Sequence, residues 1–368
     1  MPIRILCIFD TLEIGGSETF ILNVFKNIDR EKILFDFVVH TPIKGALEDD
    51  LTALGGKIYR LPRLSFKTLF SYCPTFDRFL KEHPEYKIVY DHNYNMASFY
   101  MKIANNNNRI SICHCHNKNT GFNGNWIFKQ INRLFVKNIA NHRFACSPAA
   151  GKYLFGDKDF TEIKNGIETR NFRFNPKTRE SVRREFGFGE KSVVLGHIGK
   201  FRRQKNHSFL IDVFKDYNKI NPDSYLILVG VGEYVEQTKA KAKKYGIEDK
   251  VLFLGKRYDV AELMQAMDLF LFPSLYEGLG IVIVEAQGAG LKSIIANTIP
   301  KEVILSSRLV KTLPIDQGTK PWVDNIINNI DYKREDTSDI LIKAGYDISY
   351  TAEYLTDYFT KILKDTRK

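Results

Sequence analysis

Residues Asp268–Glu285 read DLFLFPSLYEGLGIVIVE, and this stretch decides the fold. The apolar run Leu269–Phe272 is typical of a buried parallel strand, and the glycines after it mark a tight turn into a helix. This order places Glu277 just before the helix and Glu285 within it. Helix N-termini favour phosphate groups, and a carboxylate accepts two hydrogen bonds from vicinal hydroxyls. The stretch therefore predicts a sugar-phosphate or nucleotide site, the alternative being a solvated pair of acids.

Apolar runs of the same kind recur along the whole chain. The candidate strands are Ile3–Phe9, Phe35–Val39, Ile88–Tyr90, Ile110–Cys115, His142–Cys146, Val193–Ile198, Tyr225–Val229, Val251–Leu254, Leu269–Phe272 and Ser293–Ile295. Helical spacing is found in Ser17–Asn27, Asn206–Lys219, Tyr234–Tyr245 and Ala352–Leu363. Alternating strands and helices indicate α/β domains with parallel sheets, and 368 residues suit two of them. A polar, arginine-rich stretch within Asn165–Gly189 marks the expected boundary.

Two further turns follow predicted strands of the second half. Residues 199–206 (GKFRRQKN) carry two lysines and two arginines, and Gly230–Glu233 follows the next strand. Ligands of open α/β sheets bind outside the carboxyl ends of the strands, so three such turns predict one nucleoside-diphosphate site. Near the N-terminus, Gly15–Glu18 is either an anion-binding turn or a simple helix start. A dinucleotide dehydrogenase is disfavoured, because no Gly-x-Gly-x-x-Gly occurs here and the second strand ends without an acid, at Val39-His40.

Several motifs occur together in one order along the chain. They are Gly15–Glu18, Arg143–Ser147, Ala149–Lys152, Lys164–Ile167, the turn from Lys200 to Lys205, and Asp268–Glu285. With them the chain resembles glycosyltransferase family 4, and within it the bacterial exopolysaccharide and capsular polysaccharide enzymes. The resemblance implies an α/β architecture of the GT-B fold, with two facing Rossmann-like domains, parallel sheets and an interdomain cleft. Residues 1–170 would bind the acceptor, residues 171–350 would bind the nucleotide sugar, and residues 351–368 would form a helix packed back on the first domain.

The resemblance also assigns roles to individual residues. Glu277 and His116 would act on the transferred sugar. The donor would be held by Gly16, Lys200, Lys205, Gly278, Leu279, Gly280 and Glu285, with the two lysines on the diphosphate and Glu285 on the ribose hydroxyls. The family usually has arginine where Lys200 stands; lysine lacks the bidentate fork, so Arg202 or Arg203 would share its role. Glu168 replaces the aspartate of the family's Asn-Gly-Ile-Asp and receives no role.

Histidines and cysteines alternate in Cys113-His114-Cys115-His116. Neighbouring strand residues point to opposite faces, and known zinc motifs leave two or more residues between cysteines, so we expect no metal here. His92 and His114 are either cleft residues or ordinary buried histidines. The Asp157-Lys158-Asp159 triplet is interpreted as a solvated loop. Lysines on the diphosphate would make a divalent metal unnecessary, and no cofactor is expected.

Positive charge is concentrated in residues 92–156, which hold eight Lys or Arg and no Asp or Glu, in a chain of net charge +11. In Trp126–Ile139, the basic residues Lys129, Arg133 and Lys137 line one side near Trp126, while Ile127, Ile131, Leu134 and Phe135 share an apolar face. This pattern is typical of a helix on an anionic membrane surface, or of an ordinary surface helix with its apolar side on the sheet. No nucleic-acid-binding module is evident, so no nucleic-acid partner is expected.

No apolar run is long enough to cross a bilayer, and five scattered cysteines favour a reducing compartment. We therefore expect a cytoplasmic protein, peripheral on the inner face of the cell membrane. The expected activity is retaining transfer from a UDP-sugar to a lipid-diphosphate-linked oligosaccharide in capsule or exopolysaccharide synthesis. The alternatives are a UDP-sugar 2-epimerase of the same fold and a basic membrane-docking protein with a degenerate site.

Overall fold

The computed structural model describes residues 2–65, 67–93, 96–116 and 126–365, and for residues 126–129 it describes the backbone alone. The chain forms two compact units. Unit 1 comprises Met1–Glu168 together with Gly345–Lys368, and unit 2 comprises Thr169–Ala344. The units divide at residues 168/169 and 344/345. The boundaries predicted from the sequence are at 170/171 and 350/351.

The strands in this part of the chain are β1 (Ile3–Phe9), β2 (Ile33–Val39), β3 (Ile58–Arg60), β4 (Ile88–Asp91), β5 (Ile110–Cys115), β6 (His142–Ala145), β7 (Thr161–Glu162), β8 (Val193–Ile198), β9 (Ser224–Val229), β10 (Val251–Gly255), β11 (Leu269–Phe272), β12 (Ser293–Ala296) and β13 (Val310–Leu313). The helices are α1 (Gly16–Asn27), α2 (Glu48–Ala53), α3 (Leu69–Glu82), α4 (Ala97–Asn106), α5 (Trp126–Ile139), α6 (Pro148–Phe155), α7 (Pro176–Glu185), α8 (His207–Ile220), α9 (Val235–Lys244), α10 (Val260–Ala266), α11 (Ile281–Gly288), α12 (Lys320–Ile330), α13 (Ser338–Lys343) and α14 (Ile348–Asp365). Short 3₁₀ turns lie at Thr169–Phe172, Arg203–Lys205, Glu248–Lys250 and Lys301–Val303.

Unit 1 contains a parallel sheet in the order β3-β2-β1-β4-β5-β6-β7. Alternate residues of its central strands enter two cores, one on each face. Ile110 and Ile112 of β5 join α1, α2 and α14 in the first core, whereas Cys113 and Cys115 join α3 to α6 in the second. Helices on both faces of a parallel sheet are the Rossmann-like arrangement that the sequence predicts.

The C-terminal helix α14 belongs to unit 1. Leu355 and Phe359 are fully buried in the first core, where α14 packs against α1. Just before the helix, Asp347 forms a parallel bridge with Ile167, and the Ile348 amide donates to the Ile167 carbonyl (3.0 Å). The chain therefore leaves unit 1 and re-enters it at adjacent positions.

Unit 2 contains a second parallel sheet, in the order β10-β9-β8-β11-β12-β13. Helix α7, in the stretch that sequence patterning leaves unassigned, begins at Pro176 with the Asn175 side chain accepting from two helix amides. Arg179 and Arg183 of α7 form ion pairs with Asp268 and hydrogen bonds with the last carbonyls of α10. These contacts fix α7 beside the start of β11. Among the described helices none is long and apolar enough to span a membrane.

Candidate active site

Three turns of unit 2 meet at the carboxyl edge of its sheet, after the neighbouring strands β9, β8 and β11. The Phe201 amide donates to the Val231 carbonyl (2.9 Å), which joins the first two turns. The Leu275 amide donates to the Gln204 carbonyl (2.8 Å), which joins the first turn to the third. The predicted meeting of these turns is thus confirmed, with backbone hydrogen bonds holding them together.

The turn after β9 needs glycine because it touches the turn after β8. Gly230 has a φ of 141° and Gly232 a φ of 155°, in the region that side chains rarely adopt. A Cβ added to Gly232 would lie 2.8 Å from the Phe201 amide nitrogen. The glycines therefore permit the close backbone approach that brings the two turns together.

Glu277 and Lys205 form a direct ion pair. Lys205 Nζ lies 2.7 Å from Glu277 Oε1, and the two side chains are only 16% and 8% exposed. Gln204 Nε2 donates to Glu277 Oε2 (3.1 Å), and Lys205 Nζ also lies 4.4 Å from the centre of the Phe272 ring. The carboxylate is held through both oxygens, so its orientation is fixed by the turn after β8.

The turn that follows Glu277 ends in a glycine with left-handed backbone geometry. Gly280 has a φ of 86° and precedes the first residue of α11. Leu279 is buried and Gly278 is half-buried. The first amides of a helix have no partner within the helix, so this end of α11 suits an anion beside Glu277.

Glu285 lies one turn into α11 and is half-buried. Burial raises the pKa of its carboxyl to about 7. Within the described residues this carboxyl has neither a hydrogen bond nor an ion pair to offset that burial. Hydroxyl donors from a ligand would stabilise the ionised form, which is the interaction expected of a ribose.

His116 lies in unit 1, directly after β5, within a cluster of three buried imidazoles. His92 Nδ1 and His116 Nε2 are 2.9 Å apart, and His114 Nδ1 is 2.7 Å from the Tyr90 hydroxyl. Burial lowers the pKa of all three histidines, that of His116 to about 4, so they are neutral at pH 7. The sequence argument is right that Cys113 and Cys115 point away, but it does not foresee that His92 joins the other two histidines.

Comparison with known proteins finds similarity to glycosyltransferases. The family described as "Glycosyl transferases group 1" matches residues 178–307. EpsF of Bacillus subtilis, named as a glycosyltransferase, is 28% identical over 357 residues, which is 94% of this chain and 93% of EpsF. The capsular polysaccharide biosynthesis glycosyltransferase CapH of Staphylococcus aureus is 25% identical over 386 residues, 98% of this chain and 100% of CapH.

A solved structure shows the same fold. HepE of Anabaena, in complex with UDP-glucose, superposes with a TM-score of 0.80 at 19% identity, covering 97% of this chain and 99% of HepE. The chain is a GT-B glycosyltransferase. The resemblance drawn from the motifs, including that to exopolysaccharide and capsular enzymes, is confirmed.

The other cations that the resemblance assigns to the donor are exposed on the turn after β8. Lys200, Arg202 and Arg203 all present side chains to solvent. Within the described residues Arg202 and Arg203 form no ion pair. Both arginines are therefore available to a diphosphate, as expected if they share the role assigned to Lys200.

Two buried histidines beneath this turn were not anticipated from the sequence. The His207 ring stacks on Phe201, with ring centres 3.9 Å apart, and meets His197 edge-on at 4.8 Å. Burial and the neighbouring Lys205 lower the pKa of His207 to about 3. Both imidazoles are neutral and pack beneath the basic turn. The sequence does not predict this role, because His207 is a single histidine after Lys205-Asn206.

Gly16, the predicted donor residue of unit 1, is the first residue of α1. A Cβ added to Gly16 would meet nothing within 4 Å, whereas the side chain of Glu18 folds back against Gly15. The Glu18 carboxylate therefore already lies beside the start of α1. The assignment of Gly16 to the donor stays a prediction.

Helix α5 exposes apolar side chains as well as basic ones. Leu134 is 62% exposed and Phe135 is 55% exposed, whereas Val136 and Asn132 are buried. Of the two alternatives for this helix, the one in which its apolar face lies on the sheet does not hold for Leu134 and Phe135. The Asn132 side chain, which accepts from the Ser98 amide, points inward instead. Arg133 stacks over Tyr153 (4.6 Å) and Lys137 is half-buried, while the side chains of Trp126 and Lys129 lie outside the described residues.

Proposed function

We propose that this glycosyltransferase transfers a sugar from a UDP-sugar, with retention, to a lipid-diphosphate-linked precursor of a capsular or exopolysaccharide. The observation that carries the proposal is the Glu277–Lys205 ion pair beside the N-terminus of α11. CapH is named for capsular polysaccharide biosynthesis, and HepE was solved with UDP-glucose, which supports this acceptor class and this donor.

In the proposed reaction, the bond between the anomeric carbon and the diphosphate oxygen breaks as an acceptor hydroxyl attacks from the same face. The leaving UDP takes the bonding electron pair, and its phosphate oxygen takes the acceptor's proton. Lys205, Lys200 and the first amides of α11 stabilise the charge that develops on the diphosphate. Glu277 contacts the transferred sugar, Glu285 holds the ribose hydroxyls, and His116 is the unit 1 residue that the resemblance assigns to the reaction. Side-chain cations supply the positive charge, so the proposal includes no metal cofactor.

Replacement of Glu277 tests the catalytic assignment. We expect Glu277→Gln to lower kcat by about 10²-fold or more while UDP affinity changes little, because the amide retains the shape but not the charge. Glu190→Gln, at an exposed position before the start of β8, is the matched control and should transfer sugar normally. Transfer at the native rate by Glu277→Gln would contradict the assignment.

The donor is tested by incubating the enzyme with UDP-, GDP- or dTDP-sugars. A UDP-sugar should raise the thermal midpoint the most and should be hydrolysed slowly without an acceptor. A C2 epimer formed from the UDP-sugar alone would support the 2-epimerase alternative and contradict the transferase proposal.

The acceptor proposal includes docking of α5 on an anionic membrane surface, in the cell the inner face of its membrane. Exposed Leu134 and Phe135 beside Arg133 and Lys137 fit a bilayer interface, where apolar side chains insert and cations meet lipid phosphates. The surrounding residues 92–156 contain no acid that would repel such lipids.

A vesicle-binding assay tests this surface. We expect Arg133→Glu with Lys137→Glu to weaken binding to phosphatidylglycerol vesicles by about 30-fold or more, since each of the two cations near the surface contributes about 1 kcal/mol and about 1.4 kcal/mol is tenfold. Lys243→Glu with Lys244→Glu, on the exposed side of α9, makes the same charge change elsewhere and should bind normally. Equal binding by both double variants would exclude α5 as the docking surface.

A further inference from the structure

Three polar side chains meet at the carboxyl edge of the unit 1 sheet, and the proposed reaction uses none of them. Asp10, His40 and Asn93 follow β1, β2 and β4, which are neighbouring strands. Asn93 Nδ2 donates to Asp10 Oδ1 (2.6 Å), and His40 Nδ1 lies 3.6 Å from the same oxygen. The His40 amide also donates to the Asp10 carbonyl (3.1 Å). Two other stretches of the chain therefore hold Asp10 in place.

The His40 ring is fixed from its other side by α3. His40 is buried, and its Nε2 lies 2.8 Å from the hydroxyl of Tyr72, which is also buried. Burial raises the pKa of Tyr72, so the phenol keeps its proton and donates it to Nε2. The ring proton of His40 is then on Nδ1, the nitrogen that faces Asp10. The imidazole thus presents a donor, rather than a lone pair, to the carboxylate.

The second oxygen of Asp10 is the one available to a ligand. Within the described residues Asp10 Oδ2 has no hydrogen-bond partner, and the side chain is 49% exposed. A carboxylate that is held through one oxygen and open at the other is suited to accept hydrogen bonds from hydroxyl groups. Because its orientation is already fixed, binding would cost little further ordering of this side chain.

The position of Asp10 in unit 1 indicates the chemistry of the ligand. Asn93 directly follows His92, whose Nδ1 lies 2.9 Å from Nε2 of His116, the residue that the resemblance assigns to the transferred sugar. Asp10 is therefore at the same edge of the sheet as His116. A carboxylate repels phosphate groups and accepts from hydroxyls, so the part of a ligand beside Asp10 is a sugar and not a diphosphate.

We propose that Asp10 binds a hydroxyl group of the acceptor sugar, and that His40 and Asn93 are positioning residues that orient its carboxylate. This inference rests on the proposed transfer to a lipid-diphosphate-linked acceptor, and it names the residues of unit 1 that recognise the acceptor's sugar. Asp10 accepts a hydrogen bond and takes no proton, since in the proposed reaction the acceptor's proton goes to a phosphate oxygen of the leaving UDP.

Transfer kinetics with defined acceptors test the Asp10 site. The probes are undecyl diphosphates that carry N-acetylglucosamine, glucose or galactose, offered with UDP-sugars as donors. We expect Asp10→Asn to raise the acceptor KM by about 10- to 100-fold, because hydrogen bonds to a charged group are lost, while the Kd for UDP changes by less than about twofold. Asp29→Asn is the matched control, since Asp29 is similarly exposed (41%) and lies at the opposite edge of the sheet, paired with Lys32. It should keep the native acceptor KM.

A double-mutant cycle tests the positioning role of His40. His40→Gln should raise the acceptor KM by roughly 3- to 10-fold in the native chain and have little further effect in Asp10→Asn, because it acts through that carboxylate. An equal effect of His40→Gln in both backgrounds would overturn the positioning role, since a merely structural residue does not depend on Asp10.

A second variant and a folding measurement keep the outcomes distinct. Asp10→Ser also removes the carboxylate and should raise the acceptor KM to a similar extent, and far-UV circular dichroism verifies that each variant is folded. A native acceptor KM in either folded variant, in an enzyme that transfers sugar to the probes, would overturn the Asp10 site and leave the proposed function intact. Absence of transfer to every probe by the native chain would contradict the proposed function and the site that rests on it.

Discussion

The half-buried Glu285 carboxyl has no partner in the described structure, and desolvation raises its pKa to about 7. If ribose hydroxyls donate to this carboxylate, UDP binding lowers that pKa and releases a proton. We expect release of about half a proton at pH 7, more at pH 6 and none at pH 9. Titration calorimetry of UDP binding, in buffers of different ionisation enthalpy, measures the number of protons released.

Two variants, one test and one control, accompany this measurement of proton release. Glu285→Gln should bind UDP more weakly and release no proton at any of these pH values. Glu190→Gln, at an exposed position before β8, should show the native release. Proton uptake on binding, or release that persists in Glu285→Gln, would mean that another group titrates.

The types of residue in the candidate site follow from the sequence, but their pairing does not. Spacing around the strands brings Glu277, Lys205 and the glycine turns to one edge of the sheet. The ion pair of Glu277 with Lys205, and the part played by Gln204, depend on side-chain directions that strand and helix periodicity leave open. The histidine cluster shows the same limit, because His92, directly after β4, and His114, in β5, are 22 residues apart in the sequence.

At the scale of elements, the start of α11 depends on Gly280. Alanine at its φ of 86° would cost about 1–2 kcal/mol, and the new Cβ would lie 3.3 Å from Ile283 Cδ1. We expect Gly280→Ala to lower the thermal midpoint of unit 2 by roughly 2–8 °C and to weaken UDP binding. Thermal unfolding with and without UDP measures both effects.

Gly187→Ala is the control that separates the effect of backbone strain on stability from an effect on the geometry of the candidate site. Gly187 has a φ of 71° and open space around its Cβ direction, away from α11. It should lose similar stability and keep its UDP affinity. A normal UDP affinity in Gly280→Ala would show that the helix start does not hold the diphosphate.

The long, apolar strands were predictable because a strand buried on both faces has a nearly continuous run of apolar residues in its sequence. β1, β5, β8 and β11 begin and end at the predicted residues. β3 and β7 were missed because they have three and two residues, and β13 because its central Lys311 and Thr312 are exposed. Helix α7 was missed because arginine pairing with Asp268, rather than an apolar face, fixes much of it.

At the scale of the whole molecule, buried titratable groups set the response to acid. Burial lowers the pKa of His92, His114, His116, His197 and His207, so the unfolded chain binds more protons below about pH 6.5. Asp91 and Glu285, with pKa values raised to about 7, act in the opposite direction but are fewer. We expect the thermal midpoint to be roughly 5 °C or more lower at pH 5 than at pH 7.

Differential scanning calorimetry across this range measures the effect for both units. A midpoint that is equal or higher at pH 5 would show that the buried carboxyls dominate.

The return of α14 to unit 1 has a consequence for synthesis on the ribosome. All of unit 2 lies between Glu168 and Gly345, so its last residue is made before the final 24 residues that complete unit 1. The nascent chain can fold its second unit while the first still exposes the core that Leu355 and Phe359 will cover. A chain stalled or cut at Ala344 would thus contain the whole of unit 2 but only part of unit 1. Unit 1, although its first residues are translated earlier, would then be the unit that needs a chaperone.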